Sequence, residues 1–547
     1  MKCKNCNNEF TIYPEDKKFY AKIAVPEPDT CFNCRSQYLL AFWSYGQFYQ
    51  RKCDKTGETI ISTFPPETIF PVYKKENWLK DDWDVPEMDV DLDRPFLEQL
   101  DELQKQTPHY HLFTDGTSVN CDYCDDIYSS KNCYLTTNCA ESEDLYFCCR
   151  ILYCKDSFDC VYSYYLEKCY SCTRCWHCYD CKYSLESRDC LDSVFLYDCR
   201  GCKNCFMSCN LRNSEYVFMN QQYSAAQYQK KISELNLGSW QVVNRLKQDF
   251  KSMLQKQAIH KSVFNVKSTN SVGNYLDECK GCQQCFFLEK SEDCSDVLRG
   301  AECKDQYNGV GTYKTELCCG GLQCFECYNV NFSNYAMHCR DSEYLDQCDD
   351  CVECFGCVGL QKGKYRILNK EYSEKEYKEL LKKIKDKMRE RGEYGKFLPL
   401  SMTYNGYNES LAMIYFPMEE QQVIEWGGRW QKDLDKDVKV DIESKDLPDD
   451  IKNVELDKIL NKSIECEKTG KIFRYVKAEI EYYQKNNIAL PREYFMYRVV
   501  RNYKTMMPTI AREIDCFNCN KKVTTYYPLD WGYQKIYCED CYQKEIY

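Results

Sequence analysis

Ser157-Phe-Asp-Cys160-x-x-Ser163-x-x-Leu166-x-x-Cys169-x-x-Cys172-x-x-Cys175 puts a small or apolar residue at every third position. The pattern recurs thirty residues later as Ser187-Arg-Asp-Cys190-x-x-Ser193-x-x-Leu196-x-x-Cys199-x-x-Cys202-x-x-Cys205. It returns a third time as Cys339-x-x-Ser342-x-x-Leu345-x-x-Cys348-x-x-Cys351-x-x-Cys354. A period of three is neither the 2 of a strand nor the 3.6 of a helix. It predicts a tight β-solenoid whose short sides each turn one residue inward, at roughly 12 to 15 residues per turn or more. Cys, Ser and Leu then point in, and Asp, Lys, Arg and Tyr point out. No rung can bury itself alone, so stacked neighbours complete the core.

Working outward, the middle of the chain matches itself at an offset of 149 residues without a gap. Cys133/Cys282, Cys154/Cys303, Cys169/Cys318, Cys175/Cys324, Cys178/Cys327, Cys190/Cys339, Cys199/Cys348, Cys202/Cys351 and Cys205/Cys354 coincide. So do Leu211/Leu360, Tyr216/Tyr365, Asn220/Asn369 and Tyr223-Ser224/Tyr372-Ser373. The middle is a tandem duplication. Each copy ends in a capping box, Ser224 with Gln227 and Ser373 with Glu376, which predicts a helix start. Tyr377, Leu380, Leu381, Ile384 and Met388 keep helical spacing after the second box, and Trp240, Val243, Leu246, Phe250, Met253 and Leu254 do so after Ser239. These helices are expected to cap the ends of the coils, where strand edges would otherwise be exposed, or to serve as plain amphipathic linkers.

The 547 residues carry 42 cysteines, 47 tyrosines and a net charge of −12. The 44% hydrophobic fraction counts those two residue types, so the aliphatic core is thin and cysteine must be buried or bound. An acidic balance disfavours bulk phosphate binding, which needs a positive field. No stretch reaches the ~20 apolar residues of a membrane span. Met1-Lys-Cys-Lys-Asn-Cys6 lacks an apolar signal region, which predicts a cytoplasmic protein. In a reducing compartment many cysteines mean metal sites or buried thiols, not disulfides.

The two ends look like zinc ribbons. Cys516-Phe-Asn-Cys519 and Cys538-Glu-Asp-Cys541 enclose 18 residues, and Cys3-Lys-Asn-Cys6 and Cys31-Phe-Asn-Cys34 enclose 24. Each pair of knuckles supplies the four thiolates of a closed tetrahedral Zn²⁺ site, so two structural zinc ions are expected and no open coordination position. Thr524-Thr-Tyr-Tyr-Pro528 and Lys535-Ile-Tyr537 are β-prone, and Phe10-Thr-Ile-Tyr13 with Phe19-Tyr-Ala-Lys-Ile23 is expected to form a hairpin. Cys53-Asp-Lys-Thr-Gly57 resembles Cys466-Glu-Lys-Thr-Gly470. Each is a turn with a lone buried thiol, or the fragment of a decayed ribbon.

These terminal ribbons, the Cys-x-x-Thr-Gly segments, Asn132-Cys133-Tyr134, the repeated Cys-x-x-Cys and Leu211…Tyr216…Asn220…Tyr223-Ser224 resemble one family over nearly the whole chain. It is a group of cysteine-rich, zinc-ribbon-flanked repeat proteins of candidate-phyla bacteria. Some members carry a CoA-transferase (CaiB/BaiF) label, whose chemistry none of these residues supports. The resemblance implies a cytoplasmic bacterial protein and carries over no catalytic residue.

Three readings compete for the eighteen and fourteen cysteines of residues 121–209 and 279–357. They are structural thiols suited to a cramped coil, or ligands of further zinc, or iron–sulfur ligands. For zinc, Cys169, Cys172, Cys175, Cys178 and Cys181 offer thiols at intervals of three. For iron–sulfur, Cys199-x-x-Cys202-x-x-Cys205-x-x-x-Cys209 has the bacterial ferredoxin spacing with Asn210 in place of Pro, while Cys348, Cys351, Cys354 and Cys357 close with two intervening residues. His177 is a surface side chain or a ligand, and His109-Tyr-His111 lacks a partner set. A glycine-rich phosphate loop, a metalloprotease helix and a nucleophile elbow are all missing, and Gly309-Val-Gly311 is too short to count. The tyrosines are stacking platforms for a partner or single-stranded nucleic acid, or ladders that cover the rungs. Acidic runs at Asp81-Asp-Trp-Asp84, Asp89-Val-Asp-Leu-Asp93 and from Asp433 to Asp450 read as linkers.

The expected order is an N-terminal zinc ribbon (1–60), an acidic linker with a short helix (61–115), solenoid repeat 1 (116–223), a helical insert (224–265), solenoid repeat 2 (266–372), a helix and acidic linker (373–450) and a C-terminal zinc-ribbon module (451–547). The expected class is mainly β with helical caps. The expected role is a non-enzymatic zinc-binding scaffold with a protein partner and no membrane. Metal-handling or redox work is the first alternative. Nucleic-acid binding through the ribbons, disfavoured by net charge, is the second.

Overall fold

The computed structural model describes residues 1–547 other than 81, 115, 433–437 and 507. Asp81 and the start of the acidic stretch from Asp433 therefore lie outside the described residues. Strand makes up 29% of the chain and helix 24%, so the class is mixed α/β with many short strands. This corrects the expectation of a mainly β chain: segments outside the cysteine blocks form helices beyond what capping requires, Phe96–Gln106 and Phe495–Tyr503 among them. No helix among the described residues is long and apolar enough to cross a membrane.

Contacts gather the chain into two units, each built from two stretches. Met1–Leu112 belongs with Val263–Gln431, and Phe113–Ser262 with Lys432–Tyr547. The N-terminal cysteine tetrad is thus grouped with the second repeat copy, and the C-terminal tetrad with the first.

In the second unit, Asp125–Tyr128, Thr137–Ala140, Cys149–Leu152 and Val161–Tyr164 pair in parallel, each with the segment twelve residues on. Isolated bridges continue the same spacing as Lys155↔Glu167, Glu167↔Tyr179, Tyr179↔Leu191 and Leu191↔Lys203. In the first unit, Cys285–Glu289, Leu298–Ala301 and Val310–Tyr313 repeat it, as do Lys304–Tyr307, Glu316–Cys319, Tyr328–Asn331 and Arg340–Glu343. The parallel pairing recurs every twelve residues, or four triplets.

The triplet has a backbone cause. Every third residue is left-handed: Tyr162, Tyr165, Lys168, Ser171 and Arg174 have φ of 55, 54, 55, 53 and 51°. Residues with a Cβ avoid that region unless the surroundings hold them there. Here each turn aims the next residue inward and is held by bonds to both neighbouring rungs. The first residue of a triplet donates to a carbonyl in the rung above (Glu167 N to Cys178 O, 3.0 Å), and the left-handed one to a carbonyl in the rung below (Lys168 N to Lys155 O, 3.1 Å). The third amide points inside, where only a side chain can take it. Cys205 N–H donates to Ser193 Oγ (3.0 Å), Cys199 N–H to Ser187 Oγ (3.3 Å) and Leu166 N–H to Cys154 Sγ (3.1 Å), each twelve residues back. The inward hydroxyls and thiols in turn donate to carbonyls, as Ser193 does to Leu191 O (2.7 Å) and Cys172 to Cys181 O (3.4 Å). A buried amide must be paired, and the enclosed space admits only small groups. This is why Cys and Ser dominate the inward positions and interchange between repeats.

A stability test follows from this pairing. Ser193→Cys is expected to stay within about 0.5 kcal/mol of the parent, whereas Ser193→Ala strands the Cys205 amide and costs about 1–3 kcal/mol. Urea midpoints with equal slopes decide it; an alanine variant as stable as the cysteine one would refute the pairing.

Outside, aromatic residues stack rung on rung. Tyr153 on Tyr165 and Tyr165 on His177 are 4.8 and 4.9 Å apart and nearly parallel, and Tyr275 stacks on Phe287 at 4.8 Å. Each copy stops in the same way. Parallel pairing gives way to an antiparallel hairpin, Val217↔Gln222 and Ile367↔Lys370. Asn220 (φ 58°) and Asn369 (φ 67°) accept the Cys209 and Val358 amides. Both capping boxes form as expected. Tyr228 then packs on Tyr216 (5.9 Å) and Tyr377 on Tyr365 (5.6 Å), so the helices Ala225–Ser233 and Glu374–Glu390 sit on the last rungs. Helix Trp240–Lys256 buries the six apolar residues that its spacing singled out.

Candidate metal centres

Among the described residues, three groups of Cys, His, Asp or Glu bring three or more ligand atoms within 4.8 Å of one another: Cys3/Cys6/Cys31/Cys34, Cys516/Cys519/Cys538/Cys541 and an exposed His338/Asp349/Asp350 set. The two tetrads are those expected from spacing. Zn–S bonds of about 2.3 Å in a tetrahedron demand sulfurs about 3.8 Å apart. Cys3–Cys34 is 3.8 Å, Cys6–Cys31 3.7 Å and Cys519–Cys538 3.8 Å, so both tetrads fit such an ion.

The flanking backbone positions these thiols. Cys31 N–H donates to Cys3 Sγ (3.3 Å) and Cys538 N–H to Cys516 Sγ (3.2 Å). Burial raises the Cys3 thiol, but amide donors from Cys6, Cys31 and Asn5 outweigh it and bring the group down to about 6. Cys516 is held at about 6 by the same balance, with donors from Cys538, Cys519 and Asn518. Their neighbours go the other way: burial drives Cys34 up, and in the other tetrad the adjacent Cys538 sulfur pushes Cys541 up to about 12. Thiolates this close cannot all ionise without a cation among them. A bound Zn²⁺ would supply that charge, and its four sulfurs would leave no site for substrate.

The hairpin expected between the N-terminal knuckles is corrected. Pro14–Lys22 is a helix with Pro at its first position, a residue preorganised for that place, and Asp16 accepts the Tyr13 amide (2.8 Å). The C-terminal ribbon has its β elements: Arg512–Asp515 pairs with Lys522–Thr525, and Lys535–Tyr537 pairs with Ile259–Lys261.

Both ribbons are seated on a repeat. In the first unit Phe19 stacks on Tyr307 (3.7 Å) and Phe32 on Phe286 (5.3 Å), and Arg35 pairs with half-buried Asp296. In the second, the Tyr542 hydroxyl donates to buried Asp198 and accepts from Arg212 (2.7 Å).

The remaining candidate ligands are not gathered into such cages. Cys169, Cys172, Cys175, Cys178, Cys181, Cys199, Cys202 and Cys205 line one interior, and Cys348, Cys351, Cys354 and Cys357 the other. Cys209 is off the triplet phase. It packs in the core outside the rungs, with Asn220 Nδ2 donating to its sulfur at 3.2 Å. The ferredoxin-like spacing thus sends its fourth cysteine to the opposite face from the other three. His177 is exposed and stacked on Tyr165. His111 is buried, which drops its imidazole to about 4. His109 is a buried strand residue 3.6 Å from Asp346, which also accepts from Gln104 (2.8 Å) and Asn334 (2.9 Å).

No sequence signal pointed to the buried network of the second unit. Arg498 donates to Asp159 (2.9 Å), to Glu479 (3.3 Å) and to the Tyr483 hydroxyl (2.9 Å), and all four side chains are at most 2% exposed. A cavity of about 290 Å³ adjoins it, walled by Tyr134, Phe147, Phe473 and Phe495. Burial raises Glu479 from 4.5 to about 7 despite Arg498. Between those values the folded chain holds a proton that the unfolded chain has released. Stability from this group is therefore complete below about pH 4.5 and is lost as pH rises through 7, with a slope of at most about 1.4 kcal/mol per unit. Glu479→Gln should flatten that slope between pH 5 and 7; an unchanged profile would rule out Glu479 as its source.

No family model and no curated protein matches the chain. Among solved structures, a putative acetyltransferase from Desulfovibrio desulfuricans G20 aligns over 50% of this chain and 81% of its own, at 10% identity and a TM-score of 0.09. Likeness that low carries no argument about fold or activity.

Proposed function

We propose that the protein is a non-enzymatic, zinc-stabilised scaffold of the cytoplasm. Its two repeat copies are β-solenoids, and each is clamped by one terminal zinc ribbon. The outward Tyr, Asp, Lys and Arg faces are its surface for a protein partner. One observation carries this reading: the inward thiols are already used as hydrogen-bond partners of the buried backbone, and apart from Cys121 they are at most 2–3% exposed. Sulfur committed in this way is a wall material, not a reservoir. The seating of Phe32 and Tyr542 on the repeats supports the ribbons as internal clamps.

Elemental analysis of protein purified without oxygen tests the reading. About two zinc per chain, one for each tetrad, and a colourless solution are expected. Four or more zinc would replace it with metal handling, and brown protein with visible charge-transfer absorption with iron–sulfur chemistry. Salt-sensitive retention of single-stranded nucleic acid would favour the ribbons as nucleic-acid modules.

A further inference from the structure

Among the described residues, four turns are built alike, and two of them carry a tetrad. They begin at Cys3, Cys53, Cys466 and Cys516. In each, the cysteine amide donates to the carbonyl five residues on: Asn8 (2.9 Å), Glu58 (2.8 Å), Lys471 (2.8 Å) and Lys521 (2.9 Å). The residue four places on is left-handed, namely Asn7, Gly57, Gly470 and Asn520 with φ of 61, 73, 69 and 59°. Its amide returns to the cysteine carbonyl at 3.0, 2.8, 3.0 and 2.9 Å.

The likeness continues across to a second segment. The residue after each cysteine donates to a carbonyl there: Lys4 to Asp29 (3.1 Å), Asp54 to Val72 (2.9 Å), Glu467 to Arg492 (3.1 Å) and Phe517 to Ile536 (3.0 Å). Two residues beyond that acceptor, an amide donates to the cysteine sulfur: Cys31 (3.3 Å), Lys74 (3.4 Å), Tyr494 (3.1 Å) and Cys538 (3.2 Å). All four of these residues are helix N-caps, before Phe32–Leu40, Lys75–Trp78, Phe495–Tyr503 and Glu539–Ile546. A shared short motif would explain one turn, but not the same crossing bonds to a capped helix 21–28 residues away.

We infer that the chain holds four copies of one ribbon module, and that those at Cys53 and Cys466 are latent zinc sites with three of their four ligand positions substituted. The missing positions follow from the register. Thr56, Lys74 and Asn77 stand where Cys6, Cys31 and Cys34 stand in the N-terminal ribbon. Thr469, Tyr494 and Tyr497 stand where Cys519, Cys538 and Cys541 stand at the other end. Around Cys53 a hydrogen bond from the Lys74 amide (3.4 Å) reaches the sulfur where an ion would sit. Each unit thus holds one four-thiol ribbon and one such metal-free copy.

The test restores the ligands. T56C/K74C/N77C and, separately, T469C/Y494C/Y497C are purified without oxygen beside the parent. Each is expected to bind one zinc per chain more than the parent. Cobalt substitution is expected to raise the thiolate charge-transfer absorption by about half, from two tetrathiolate sites to three. If neither variant gains a metal ion over the parent, whether it folds or not, the inference is wrong. The parent's own content is the separate measure of the terminal tetrads, so failure of one claim is distinguishable from failure of the other.

Discussion

Cys538→Ser is expected to cut the zinc content from two ions to one and to release the C-terminal ribbon from its repeat. Cys538 supplies one sulfur of the tetrad, caps the helix Glu539–Ile546, and holds the knuckle through the Cys516 sulfur. Structural zinc contributes on the order of 10 kcal/mol to small modules of this kind, and little apolar core stands behind it here: Tyr537 and Tyr542 with the cysteines themselves. With the helix gone, Asp198 loses Tyr542 while remaining buried beside Arg212. Limited proteolysis should therefore cut first within 512–546, and amide exchange should rise there before it rises in the repeat. Cys3→Ser is the mirror experiment, exposing 1–40 and taking Arg35 away from Asp296. A variant that keeps both zinc ions and the parent's protection would show that the tetrad is not a metal site.

Arg498→Met should cost about 3–5 kcal/mol, because it leaves two carboxylates buried without their cation. Asp159 and Glu479 are 0% and 1% exposed, and burial already raises both. The penalty is theirs, not the arginine's, so it should shrink as pH falls and the carboxylates take up protons. Denaturant midpoints of parent and variant at pH 5 and pH 8 decide between this and simple loss of packing over Phe147, which would be independent of pH. A second arginine, Arg501, also lies close enough to lower Asp159, but it pairs with Glu493 instead. A double substitution with Asp159→Asn should recover part of the loss; no recovery would mean the network is not what Arg498 stabilises.

What could be read ahead of the fold was local. The triplet phase was legible because each triplet makes the same turn, and a left-handed residue followed by a small inward one leaves its mark every three letters. The tetrads were legible because a four-sulfur site needs knuckles at fixed spacing. The capping boxes at Ser224 and Ser373 and the apolar face of Trp240–Lys256 were legible for the same reason, since a helix declares its start and its buried stripe within a few turns. The helix Pro14–Lys22 was equally local and was missed. Aromatic residues at 10–13 and 19–23 carry strand propensity, yet Pro14-Glu-Asp starts a helix there, with Pro14 at its first position and the Asp16 carboxylate on the Tyr13 amide.

The sulfur chemistry, in contrast, was decided in three dimensions. Spacing alone made Cys199, Cys202, Cys205 and Cys209 a candidate cluster; one step out of phase was enough to put Cys209 on the other face of the strand. The buried carboxylates Asp159, Asp198 and Asp346 and the half-buried Asp296 look like any outward residue of a triplet until a distant arginine, tyrosine or glutamine is brought over them.

By itself the sequence determined the three-residue phase and the two tetrads, because each depends on residues that meet through neighbouring bonds. The tertiary structure alone decided the twelve-residue rung and the grouping of each ribbon with the more distant copy. It also decided which thiols face the interior and which acids are paired. Those outcomes rest on contacts between segments tens to hundreds of residues apart, whose complementarity lies in shape and buried charge and leaves no period in the chain.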